Sequence, residues 1–332
     1  MVIKKERIFY YDVLRAIAII AVICCHVGRY ANPSNVGLIK VPFVTLHYFG
    51  LVGVPIFFMI SGALLLNREY TLSDFFKRRF SRIIYPFIFW VSLIMIFGLF
   101  YFNWSYAHAW KVFTGNPSIL WYIWALIGVY LFIPVINSFL REYGLKGLEY
   151  FLIIWFFTII LKSMDSYPLL PYLDLNYFTS FIGYVILGYY LDNKKFNLKD
   201  STICIIGVVV FLISLITIVV GIMKLGYHML PFYENVLHVT LGVGLFLLIK
   251  YLGNFNFFNN VKNRVVGKII ISISMCSYGM YYAHYLINQF FKSMHIHSNK
   301  LFFVILFLLI ILSWILTILI SKIPILKKFS GV

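Results

Sequence analysis

The chain has 332 residues, of which 62% are hydrophobic and only 12% charged, with a mean hydropathy of +0.91. No soluble domain needs that much apolar surface, so the composition excludes an ordinary soluble enzyme and predicts an all-α polytopic membrane protein. A net charge of +17 raises the question of nucleic acid, but the charge is distributed along the chain in a way that excludes nucleic acid as a partner, as follows.

Ten apolar runs are expected to cross the membrane, at roughly 8–30, 46–67, 79–102, 119–140, 147–163, 177–192, 202–223, 231–252, 268–291 and 301–322. The first is too long for a signal peptide and lacks a small-residue cleavage site. An even number of spans puts both termini on one side. If that side is the cytoplasm, 20 of the Lys and Arg residues fall on inner segments and 7 on outer ones, with Arg15 inside the membrane. Such a bias sets orientation, so most of the charge serves topology and contacts with membrane lipid. The expected location is the cell (plasma or inner) membrane, multi-pass, with cytoplasmic termini. No loop is long enough for a second domain, so residues 1–332 are expected to form one membrane domain. Of the four cysteines, Cys24, Cys25 and Cys204 lie inside apolar runs. They give neither a disulfide framework nor a metal-binding spacing, and no metal is expected.

The first run, YDVLRAIAIIAVICCHVGRY, carries Asp12, Arg15 and His26. Polar residues at that depth are costly, so they face the bundle interior and usually mark function. Arg15 and His26 are 11 residues apart, which places them within about 20° on one helical face and roughly 16 Å apart along the axis. His26 is the first candidate general base, since a histidine can be neutral at physiological pH. Arg15 is either a structural ion pair with Asp12, one turn below it, or an anion site open to the cytoplasm.

In the second run Ser61 and Gly62 either allow close helix packing or contact a ligand. The basic cluster Lys77, Arg78, Arg79 and Arg82 follows. Arg78 and Arg82 are four residues apart on a helix entering the membrane, and a guanidinium pair there suits phosphate as well as lipid headgroups. Trp121, Tyr122 and Trp124 begin the fourth run, either as an interfacial belt or as a stacking platform for a sugar. Glu234 and His238 are spaced to lie on one face at the outer start of the eighth run, as a solvated rim pair or as an oriented base. His284 in the ninth run is expected near the depth of His26. His47, His108, His228, His295 and His297 are expected at the outer rim and carry little weight.

Taken together these segments resemble the acyltransferase-3 membrane acyltransferases. FYYDVLRAIAIIAVICCHVGRY resembles the first helix of that family, whose signature is Arg, ten residues, then His, met here by Arg15 and His26. PIFFMISGALLL, FFKRRFSRIIYPFIFW with Arg82 and Pro86, LWYIWALIGVYLFIP and SYGMYYAHYLI resemble later segments, in order. The resemblance implies transfer of an acyl group, often acetyl, from cytoplasmic acyl-CoA to a hydroxyl or amine of a cell-envelope or exported carbohydrate, such as capsule, exopolysaccharide or O-antigen. It assigns the essential histidine to His26 and the CoA side to Arg15 and Arg82. Many relatives carry an additional extracellular esterase-like domain. This chain resembles the standalone type.

The stripe supports such chemistry on its own terms. A CoA phosphate held near the inner face by Arg15 or Arg82 would let the thioester approach His26, which would deprotonate an acceptor hydroxyl directly or act in a two-step transfer through an acyl-enzyme. The competing class is a transporter or flippase of a glycan or lipid-linked precursor, which also places polar residues inside a helical bundle.

Overall fold

The computed structural model describes residues 7–28, 41–115, 120–163, 178, 181–225, 235–294, 296 and 301–332. Helices dominate these residues, and no strand occurs among them. In chain order they are α1 (Phe9–Gly28), α2 (Val41–Gly50), α3 (Gly53–Leu65), α4 (Leu72–Phe100), α5 (Tyr106–Thr114), α6 (Trp121–Ser163), α7 (Ile182–Asn193), α8 (Asp200–Leu225), α9 (Val236–Leu252), α10 (Asn256–Asn263), α11 (Val265–Ser293) and α12 (Phe302–Lys322), followed by a short 3-10 turn at Lys327–Phe329.

Among the described residues, seven helical stretches are long and apolar enough to cross a bilayer: Phe9–Val27, Val41–Leu65, Leu72–Phe100, Trp121–Lys162, Asp200–Gly221, Val265–Ser293 and Phe302–Lys322. The difference from the ten expected runs has local causes. The stretch Trp121–Lys162 contains two expected runs, separated at Gly144, where φ 59° and ψ −153° leave the helical region for one open essentially to glycine. The runs expected at 177–192 and 231–252 contain helices of 12 and 17 residues, below the length of a full span.

The short α7 survives because it is enclosed. Eight of its twelve residues are buried, and it packs backbone to backbone on α3. A Cβ at Gly62 would collide with the Val185 backbone, and one at Gly188 with that of Met59. Small residues let membrane helices approach this closely, so the Ser61-Gly62 pair does serve packing through its glycine. By contrast, α8 and α12 present Ile, Leu, Val and Phe side chains outward, including Ile205, Ile213, Ile216, Phe303 and Phe307. That outer surface suits lipid rather than water.

Basic residues gather at one end of the bundle. The Lys250 ammonium donates to the carbonyls of Leu191 (2.8 Å) and Asp192 (2.6 Å), capping the end of α7. Tyr10 and Tyr11 donate to the Asp192 carboxylate, the latter at 2.8 Å. Lys194 pairs with Glu149 at 2.6 Å, and Arg141 donates to the Arg68 carbonyl at 3.0 Å. These bonds tie α1, α6, α7 and α9 together and mark the end from which Arg15 opens.

Candidate functional site

Asp12 is the anchor of this end. Its carboxylate is buried and accepts two bonds from the Arg7 guanidinium (2.6 and 2.7 Å) and one from the Ser274 hydroxyl of α11 (2.7 Å). The paired carboxylate raises the Arg7 pKa, mainly through these hydrogen bonds. A buried carboxylate needs such compensation. Arg15 stands farther off, 3.8 Å from Asp12, so the tight partner is Arg7, just ahead of the helix. The Arg15 side chain instead lines two adjoining cavities.

The larger of these has a volume of about 680 Å³ and lies between α1, α3, α4, α6 and α11, within the range of small-molecule sites. Arg15, Arg79, Arg82 and Lys328 line it, and its described lining includes no acidic residue. Arg78 does not line it. It is exposed on α4, and Arg79 takes the place expected for it. The reason is helical phase: α4 is already helical from Leu72, and positions 79, 82, 83 and 86 share one face. Ser61 lines the same cavity, donates to the Phe57 carbonyl at 2.9 Å and lies 3.5 Å from the Tyr130 hydroxyl.

At its far end the cavity reaches Tyr122 and Tyr281, which also line a small pocket formed with Val22, Cys25, His26, Gly50 and Trp121. The two aromatic side chains thus stand between the cationic space and the pocket of His26. Of the expected aromatic platform, Tyr122 is buried between the two spaces and Trp121 lines the histidine pocket. Trp124 is partly exposed and donates to the Phe113 carbonyl.

His26 and His284 meet across α1 and α11. Their ring centroids are 5.2 Å apart, and His284 Nε2 is 3.3 Å from His26 Nδ1. His284 is buried, with its Nδ1 2.9 Å from the Met280 carbonyl. A carbonyl only accepts, so Nδ1 of His284 carries the proton and its Nε2 offers a lone pair. With both rings neutral, His26 then donates through Nδ1, and its basic lone pair is on Nε2. The bond between the rings therefore fixes the tautomer of His26.

Two other histidines, His238 and His47, are placed differently from expectation. His238 is fully buried, 6.3 Å from the Tyr48 ring by centroids, rather than at a solvated rim. Neither of its nitrogens has a hydrogen-bond partner among the described residues, and it lines neither space described above. Its burial follows from Asn235, which caps α9 just ahead of it and sends the helix straight into the bundle. Glu234 lies outside the described residues, as do His228, His295 and His297. His47 is likewise buried, with Nδ1 2.8 Å from the Cys25 carbonyl. His108 lies on the exposed α5, edge-on to Trp104.

Reading from sequence missed Arg79, Tyr130 and Tyr281, and it gave no role to Lys328. Arg79 and Arg78 each share a face with Arg82, so spacing alone did not choose between them. Nothing local marked Lys328. Among the described residues, no group of three or more His, Cys, Asp or Glu side chains could hold a metal ion.

A family model for an acyltransferase domain matches residues 8–322, nearly the whole chain. Comparison with curated proteins and with solved structures gives no match.

Proposed function

The chain belongs to the acyltransferase-3 family, and from that premise we propose that it is an acyl-CoA-dependent O-acyltransferase, in the simplest case an O-acetyltransferase, that modifies a hydroxyl of a cell-envelope or exported carbohydrate. One observation carries this reading: a cavity lined by Arg15, Arg79 and Arg82 that shares its Tyr122 and Tyr281 walls with the small pocket of His26, which in turn meets His284. Guanidinium groups suit the phosphates of CoA. The pantetheine arm then runs along the tyrosines toward His26. Trp121, beside the histidine pocket, offers a flat face to a sugar ring, whereas the ring of Tyr122 is packed among its neighbours.

The transfer balances within these residues. His26 Nε2 takes the proton of the acceptor hydroxyl as its oxygen attacks the thioester carbonyl. The C–S bond breaks, the new ester forms, and the proton passes to the departing thiolate to give CoA. His284 holds His26 in the tautomer this requires. The cationic end faces the cytoplasm, in keeping with the charge bias of the loops, and both termini lie there. The host membrane is the cell membrane.

Purified protein in lipid nanodiscs, given acetyl-CoA and capsular or lipopolysaccharide oligosaccharide, should release free thiol only when an acceptor is present. If no thiol is released while proteoliposomes carry the glycan across the membrane, the protein is a transporter. Orientation is read by labelling single cysteines at the exposed positions Tyr106 and Lys195. The four native cysteines are buried and give little background. Tyr106→Cys should react from outside whole cells and Lys195→Cys should not; the reverse would place the cationic cavity outside.

A further inference from the structure

The segment that follows α12 is built into the cavity mouth. Its 3-10 turn at Lys327–Phe329 brings in Ser330, which is fully buried. The Ser330 carbonyl accepts a bond of 3.1 Å from the indole N–H of Trp90, itself fully buried on α4. Its hydroxyl donates to the Lys327 carbonyl at 2.7 Å and accepts from the Val332 N–H at 3.2 Å. Phe329 packs edge-on to Tyr85, with ring centroids 5.7 Å apart. Here a buried backbone acceptor is satisfied by a buried indole donor, which fixes the segment in one place.

That placement brings a charge to the site. Lys328 is exposed, and its ammonium lies over the rings of Tyr85 (5.4 Å) and Phe329 (4.8 Å). Lys328, Gly331 and Val332 line the same cavity as Arg79 and Arg82. Gathering these cations around a space whose described lining contains no acidic side chain costs repulsion, which a bound polyanion would relieve.

We propose that residues 327–332 form a fixed wall of the donor cavity and that Lys328 binds a phosphate group of the donor's nucleotide part, with Arg79 and Arg82 facing it. This rests on the acyl-CoA reading above and adds a binding residue from outside the membrane spans. A phospholipid headgroup offers the same phosphate chemistry, so the test must separate the two.

The experiment is calorimetric titration of CoA into the wild type, Lys328→Gln and Lys328→Arg, each in zwitterionic and in anionic lipid nanodiscs. Lys328 is exposed, so both variants should fold, which size exclusion confirms. Loss of one charge-assisted phosphate contact should weaken CoA binding about tenfold or more in Lys328→Gln in zwitterionic discs, with most of the affinity kept in Lys328→Arg. Equal binding by wild type and Lys328→Gln overturns the assignment and leaves the acyl-CoA reading standing. A difference confined to anionic discs overturns it in favour of a lipid headgroup. A wild type that binds no CoA removes the donor reading and this proposal together.

Discussion

The cationic end of the site and its histidine end hold their polar groups in opposite ways. At the cationic end, Arg79, Arg82 and Lys328 come from α4 and from the segment after α12, are exposed or half-exposed, and line the space without an acidic neighbour in the described lining. At the histidine end, the side chains are anchored by backbone carbonyls: His284 by Met280 and His47 by Cys25. Exposed like charges attract and release an anion. Anchored rings fix where a proton sits. Substitutions at the first end should therefore change donor affinity, and those at the second should change turnover.

The largest effect is expected at His26. His26→Ala removes the base and should lower kcat by about a hundredfold to ten-thousandfold, with CoA affinity retained. A parallel loss of CoA binding in the same preparation would erase the distinction between the two ends.

His284→Phe keeps an aromatic ring but removes the acceptor that orients His26. Loss of a group that orients a histidine typically costs roughly 10–100-fold. The loss should appear in kcat with the KM for acetyl-CoA unchanged, and His284→Gln, which keeps an acceptor, should recover part of it. A purely structural His284 would give equal losses in both variants and a lower yield of folded protein.

At the cationic end, Arg82→Ala and Arg79→Ala should each raise the KM for acetyl-CoA about tenfold while kcat at saturation changes little, because each removes a charge-assisted phosphate contact. The smallest effect is expected at Arg78, one position away in sequence but off the cavity face. Arg78→Ala should stay within about twofold in both constants, since an exposed charge away from the ligand contributes little. Equal effects at Arg78 and Arg79 would mean that the basic cluster acts as a diffuse field rather than as a site.

How far these features were legible depends on whether they live within one helix or between helices. Arg15 and His26 are fixed by helical periodicity alone, and their shared face was readable from spacing. The pairing of His26 with His284 depends on how α1 and α11 are set in depth and rotation, which packing decides. The same reason hid the exchange of Arg78 for Arg79, since the cluster did not reveal which face of α4 turns inward. Asp12 was assigned to Arg15 by helical spacing, and that pair is present at 3.8 Å, but Arg7 folds back from ahead of the helix and binds the carboxylate more closely, at 2.6 and 2.7 Å. His238 looked like rim because its run begins at a loop, whereas the cap at Asn235 carries it directly into the core. Lys328 carried no local signal, because its placement follows from the buried bond between Trp90 and the neighbouring Ser330, 240 positions apart. The short α7 reads poorly as a span, since its stability comes from burial against α3 rather than from its own length.

The most direct test measures binding and transfer on one sample of His26→Gln, which keeps much of the size and a hydrogen bond but takes up no proton at neutral pH. In nanodiscs at matched protein concentration, CoA titration should give a dissociation constant within about twofold of wild type, while acceptor-dependent thiol release falls by about a hundredfold or more. If His26→Gln binds CoA and transfers acyl groups at close to the wild-type rate, His26 is not the base, and the account of the histidine end is wrong.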